Sequence, residues 1–154
     1  KTTTVPRLSA APPATCRAFH TVSRLIEGAL ARQRTGASSM SHAHYAILVA
    51  LSESEEGTAR MGDLAEFLQF SPSRMSHAVS RMERDGWVSR RRCQSDGRGQ
   101  EAMLTARGRA ALEQAAPGHV REVRRLFIDQ LSPEERRLVR SVSESLLDRI
   151  AEGI

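Results

Sequence analysis

The 154-residue chain sets 23 Lys and Arg against 18 Asp and Glu, for a formal net charge of +5 and a sequence pI near 10.4. That balance favours an anionic partner without naming it. Aromatic residues make up only 4%, which argues against capture of single strands by base stacking, and no apolar run approaches the roughly 20 residues of a membrane span.

The length suits one domain with a real core. Residues 1–14 are rich in Thr, Ala and Pro and hold no apolar run of the kind a signal peptide carries, so they read as an arm. From about Thr15 to Arg34, Phe19, Val22, Ile26, Ala29 and Leu30 recur at helical spacing. The run Thr35-Gly36-Ala37-Ser38-Ser39 breaks that helix. Ser41 then caps a second one carrying Tyr45, Ile47, Leu48 and Leu51. Residues 57–61 read as a turn and a short strand. A third helix, from about Met61 to Gln69, is apolar at Leu64, Ala65 and Leu68.

After a short turn at Phe70-Ser71-Pro72 comes the most informative helix. Ser71 is a good N-cap, Pro72 suits the first helical position, and Gly86 suits the residue just past the end. Met75, Ala78, Val79 and Met82 recur at i, i+3, i+4 and i+7 and form one apolar stripe. At about 100° per residue the opposite face centres on Ser73, His77, Ser80 and Arg84, flanked by Ser76 and Arg81, with Arg74 at the border. A merely solvated face usually mixes Glu and Lys, whereas this one has no carboxylate at its centre. Small hydroxyls let a helix sit deep in a major groove, while Arg reaches phosphates or guanine edges.

Trp87 and Val88 open a strand that continues into Ser89-Arg90-Arg91-Arg92. Residues 94–99 are a turn with two glycines, and Gln100 to Leu104 return as the partner strand. Arg90 and Arg92 on the arm and Arg98 at the tip make this a wing for duplex DNA, with Arg98 drawn to the negative potential of a minor groove. Thr105 caps the next helix, whose stripe of Leu112, Ala116, Val120, Val123 and Phe127 runs to about Gln130, with a kink or break expected at Pro117. Ser132-Pro133-Glu134-Glu135 is a capping box before a last helix with Leu138, Val139, Val142, Leu146 and Ile150 on one face.

Leu64-Ala65, the serine-rich helix ending in Arg81-Met82-Glu83-Arg84-Asp85-Gly86, and the wing Asp96-Gly97-Arg98-Gly99 ending in Leu104-Thr105 together resemble the MarR family of bacterial winged helix-turn-helix regulators. The resemblance covers the chain from about Ser41 onward and the first helix loosely. It implies a mainly α fold with a small β wing. Residues 15–40 would form an N-terminal dimerisation helix and loop, 41–105 the DNA-binding region, and 106–154 C-terminal dimerisation helices, all in one intertwined domain. It also implies a cytoplasmic repressor that binds a pseudo-palindromic operator as a homodimer, with Asp96 bracing the wing. A dimer suits the physics as well, since it places two recognition helices in successive major grooves about one turn, roughly 34 Å, apart.

The family often binds small aromatic anions in a cleft, which here would be bordered by Phe19, His20, His42 and Tyr45. Some relatives carry a peroxide-sensing cysteine where Cys16 stands, but ring it with tyrosines, and Tyr45 is the only one here. Cys16, His20, Glu27, His42, His44 and His119 offer metal ligands in principle. No HxxxH or CxxC spacing supports a metal site, so neither a metal nor another cofactor is expected. No catalytic motif is present. The competing reading is a winged helix used for protein–protein contact. An exposed apolar stripe on the recognition helix would favour that reading over DNA.

Overall fold

The structure, a computed structural model, describes residues 11–32, 40–93 and 99–153. In chain order the elements are α1 (Ala11–Arg32), α2 (His42–Glu53), β1 (Thr58–Arg60), α3 (Met61–Phe67), α4 (Pro72–Arg84), β2 (Val88–Arg92), β3 (Gln100–Leu104), α5 (Ala106–Leu126) and α6 (Pro133–Ala151), with single 3-10 turns at Glu55–Gly57 and Ile128–Gln130. The chain is mainly helical, and its three strands form one antiparallel sheet in the order β1-β3-β2. β3 is central: it pairs with β2 from Val88↔Leu104 to Arg92↔Gln100, and with β1 from Thr58↔Met103 to Arg60↔Glu101.

α2 is the hub of the core. Its residues Ile47, Leu48 and Leu51 are fully buried, and it packs on α1, α4, α5 and β3. Met75, Val79 and Met82 turn the apolar stripe of α4 into the same core, joined by Leu64, Ala65, Trp87, Val88 and Ala102, while Ala78 is half-buried. Hydroxyl caps start the helices where the sequence places them. Ser41 accepts from the His44 N–H, Ser71 from Arg74, Thr105 from Gly108, and Ser132 forms a reciprocal capping box with Glu135.

Two glycines join α4 to the wing and to α5. Gly86 takes a positive φ of 74° just past α4, which an L side chain rarely adopts. At Gly108, in the first turn of α5, a Cβ would lie 2.0 Å from the Trp87 carbonyl oxygen, so only glycine lets the helix approach the strand this closely.

Several boundaries differ from the sequence expectation. α1 begins at Ala11, so the predicted arm 1–14 yields its last four residues to the helix. Pro12 and Pro13 fall in the first turn, where a missing N–H breaks nothing. α3 ends at Phe67 because Gln69 adopts a left-handed conformation (φ 53°) that turns the chain toward α4. α5 runs through Pro117 without a break. Proline removes one donor there, and both it and Glu113, whose carbonyl loses that donor, are exposed. The predicted stripe of α6 is present but uncovered in the single chain: Leu138, Val139, Val142, Leu146 and Ile150 are all exposed. The predicted break at residues 35–39 and the wing tip with Asp96 and Arg98 lie outside the described residues.

Candidate nucleic-acid interface

The helix pair α3–α4 sets the geometry. The left-handed turn at Gln69 brings the Phe70 N–H onto the Ala65 carbonyl at 2.8 Å. Ser71 then closes the first turn of α4, its Oγ accepting from the Arg74 N–H at 3.3 Å and sharing a 3.1 Å hydrogen bond with Ser73 Oγ. With Met75, Val79 and Met82 locked in the core, rotation of α4 about its axis is fixed. Ser71, Ser73, Arg74, Ser76, His77, Arg81 and Arg84 therefore stand exposed, and Ser80 is half-buried at the edge of that face. No large apolar side chain interrupts it. Arg74, Arg81 and Arg84 take part in no ion pair among the described residues. Arg81 and Arg84 also sit in the last turn of α4, where the helix dipole favours cations.

The wing arginines divide. Arg90 is half-buried and ion-paired with Glu83 at the end of α4, which ties β2 to the recognition helix. A phosphate contact by Arg90 must compete with that pair. Arg91 donates to Glu101 across the sheet at 2.8 Å. That bond, with a weaker one from the buried Cys93 thiol at 3.4 Å, holds the Glu101 carboxyl below its usual range. Arg92 is exposed. The Cys93 N–H bonds to the Gly99 carbonyl at 2.9 Å, closing the base of the wing.

The four residues expected to border a ligand cleft lie on two helices, Phe19 and His20 on α1 and His42 and Tyr45 on α2. Phe19 and His20 are exposed on α1 and contact each other edge-on at 6.0 Å, while Tyr45 is buried in the core. The sequence reading named His119 of α5 only as a metal ligand in principle and missed its place against the α2 pair: it stacks on Tyr45 at 4.1 Å and on His42 at 5.6 Å between ring centroids. It is distant from both in the chain, so no local spacing announces it. Burial pushes the Tyr45 hydroxyl pKa up. Burial pushes His42 down, against a raising field from Glu27 and with a lowering one from Arg74. His119 is pushed down by burial and by His42. His44 faces elsewhere, buried edge-on against Trp87 at 5.8 Å. Cys16 is an exposed free thiol and Cys93 a buried one. Among the described residues no three His, Cys, Asp or Glu side chains gather as metal ligands.

A family profile described as the MarR family matches residues 38–99. The chain superposes on Sco3205, a MarR family transcriptional regulator from Streptomyces coelicolor solved in complex with DNA, with a TM-score of 0.82, 38% identity and coverage of 94% of this chain and 91% of that one. AbsC, another MarR family regulator from the same organism, gives a TM-score of 0.82 at 35% identity, covering 96% and 99%. The HTH-type transcriptional repressor YetL of Bacillus subtilis is 27% identical over 112 residues, which span 73% of this chain and 66% of that repressor.

Proposed function

We propose, from the premise that this chain belongs to the MarR family of transcriptional regulators, that it acts in the cytoplasm as a homodimeric repressor of a pseudo-palindromic operator. The observation that carries this reading is the outer face of α4. Seven exposed side chains there are hydroxyls, an imidazole or guanidiniums, and the cations among them take part in no ion pair among the described residues. A protein–protein module would expose a large apolar patch on this face, and no large apolar side chain of α4 is exposed.

Ser73, Ser76, His77 and Ser80 are the candidates for base edges, and Arg74, Arg81 and Arg84 for phosphates or guanine. Arg92 and the tip residue Arg98 serve the wing, braced by Asp96. That the related Sco3205 was solved on DNA supports the assignment. Dimerisation would cover the apolar residues exposed on α1 (Phe19, Val22, Leu25) and α6 (Leu138, Val142, Leu146, Leu147, Ile150). Titration of a duplex recovered by selection, beside a scrambled duplex of equal length and composition, tests the reading. The selected duplex should bind at least about tenfold tighter, the effect of a single good base contact. Equal affinity for the two would refute sequence recognition.

A further inference from the structure

The arginines around α4 are held in different ways. Arg90 and Arg91 are each paired through one guanidinium nitrogen with a carboxylate, Glu83 and Glu101, which takes up a donor position and offsets their charge. Arg74 is held by an aromatic ring. Its guanidinium carbon lies 3.9 Å from the centroid of Phe70. Phe70 is itself fixed: its N–H bonds to Ala65, and, half-buried, it packs against the core and lines a groove with Met61, Ala65, Pro72 and Met75. It stands just before the Ser71 cap with Met75 at the fifth helix position counting that cap, the arrangement of a hydrophobic staple.

We propose that Phe70 is a positioning residue, a platform that orders Arg74 for the duplex. This rests on the DNA-binding reading above. A ring orders a guanidinium differently from a carboxylate. Stacking covers one face of the planar cation and leaves its N–H edges free. Arg74 thus keeps its full charge and its donors for a phosphate or a guanine, while the freedom of its long side chain is already restricted before DNA arrives. Less entropy is then lost on binding. Arg81 and Arg84 have no such platform among the described residues.

A double-mutant cycle on the full-length protein tests the proposal, using the duplex recovered by selection with the wild type. Arg74→Ala should weaken binding about tenfold, as for a good groove or phosphate contact. Phe70→Leu, which keeps an apolar staple but no ring, should weaken it about 2- to 5-fold, the scale of an exposed cation–π contact. In the Arg74→Ala background Phe70→Leu should cost nothing further, and Phe70→Tyr, which restores a ring, should bind like the wild type. Thermal melts establish that each variant is folded, and the Tyr variant keeps the test decisive if Phe70→Leu does not fold. Equal losses from Phe70→Leu with and without Arg74 would show a helix-start staple only and overturn the proposal. So would Phe70→Tyr binding as weakly as Arg74→Ala. If Arg74→Ala keeps full affinity while changes at Ser76 or Ser80 do not, the proposal falls and the DNA reading stands. If the wild type selects no duplex, the DNA reading falls with it.

Discussion

At Gly108 the fold admits no side chain at all. A methyl group there would meet the Trp87 carbonyl oxygen at 2.0 Å and the Leu104 side chain at 2.9 Å. The same corner is bonded by Thr105, whose hydroxyl reaches the Gly86 and Trp87 carbonyls at 2.7 and 3.0 Å and accepts from the Gly108 N–H. Gly108→Ala must push α5 off the wing, and should cost about 1–3 kcal/mol or more, as overpacking does, read as a lower urea midpoint. The wing tip predicts the opposite pattern. Arg98→Ala should leave the melting temperature unchanged and weaken duplex binding by about 1–3 kcal/mol, measured by titration. Unchanged affinity would remove the wing tip from the reading surface. Single residues were legible in the sequence where their chemistry is local. The caps at Ser41, Ser71, Thr105 and Ser132 need only the next three residues. The pairs Phe70–Arg74 and Glu83–Arg90 were not legible, because each joins an element to a turn or strand whose direction no spacing encodes.

Among the elements, α2 and α5 meet through the ring stack of Tyr45, His119 and His42, and α2 meets the start of the wing through His44 and Trp87. Burial is the first cause holding all three histidines below their ordinary value near 6.5. His42 lowers His119 further, Arg81 lowers His44 and Arg74 lowers His42, while Glu27 raises His42 and Asp85 raises His44. The unfolded chain therefore binds more protons than the folded one once pH drops below about 6.5. The stability these groups contribute is fully present above that value and is lost as pH falls through their folded values. The melting temperature should decline on acidification from about pH 8 to about pH 5, and His42→Gln with His119→Gln should flatten the decline. An unchanged pH profile in the double variant would exclude the stack as its source. The existence and type of the elements followed from periodicity, and α4 followed best, because its stripe, cap and terminal glycine agree. The continuity of α5 through Pro117 did not follow, because an exposed helix face tolerates one orphaned carbonyl.

The whole molecule leaves apolar faces on α1 and α6 open to water, including Leu25 at 64% and Leu147 at 66% exposed. Burial of such a side chain is worth about 1.5–3 kcal/mol, so a second copy of the chain has much to gain by covering them. Light scattering should give twice the 17.0 kDa chain mass, and Leu146→Glu with Ile150→Glu should shift it toward one chain. A dimeric mass unaffected by these charges would place the interface elsewhere. Two recognition helices related by a two-fold axis read a sequence that repeats in inverted order. The measurement that bears most directly on the central claim is selection from a random duplex library, run in parallel with the wild type and with a variant carrying Ser76→Ala, His77→Ala and Ser80→Ala. The wild type should recover an inverted-repeat motif, and the variant, folded and dimeric, one altered at the same position of each half. No motif from the wild type, or the same motif from both proteins, would contradict that claim.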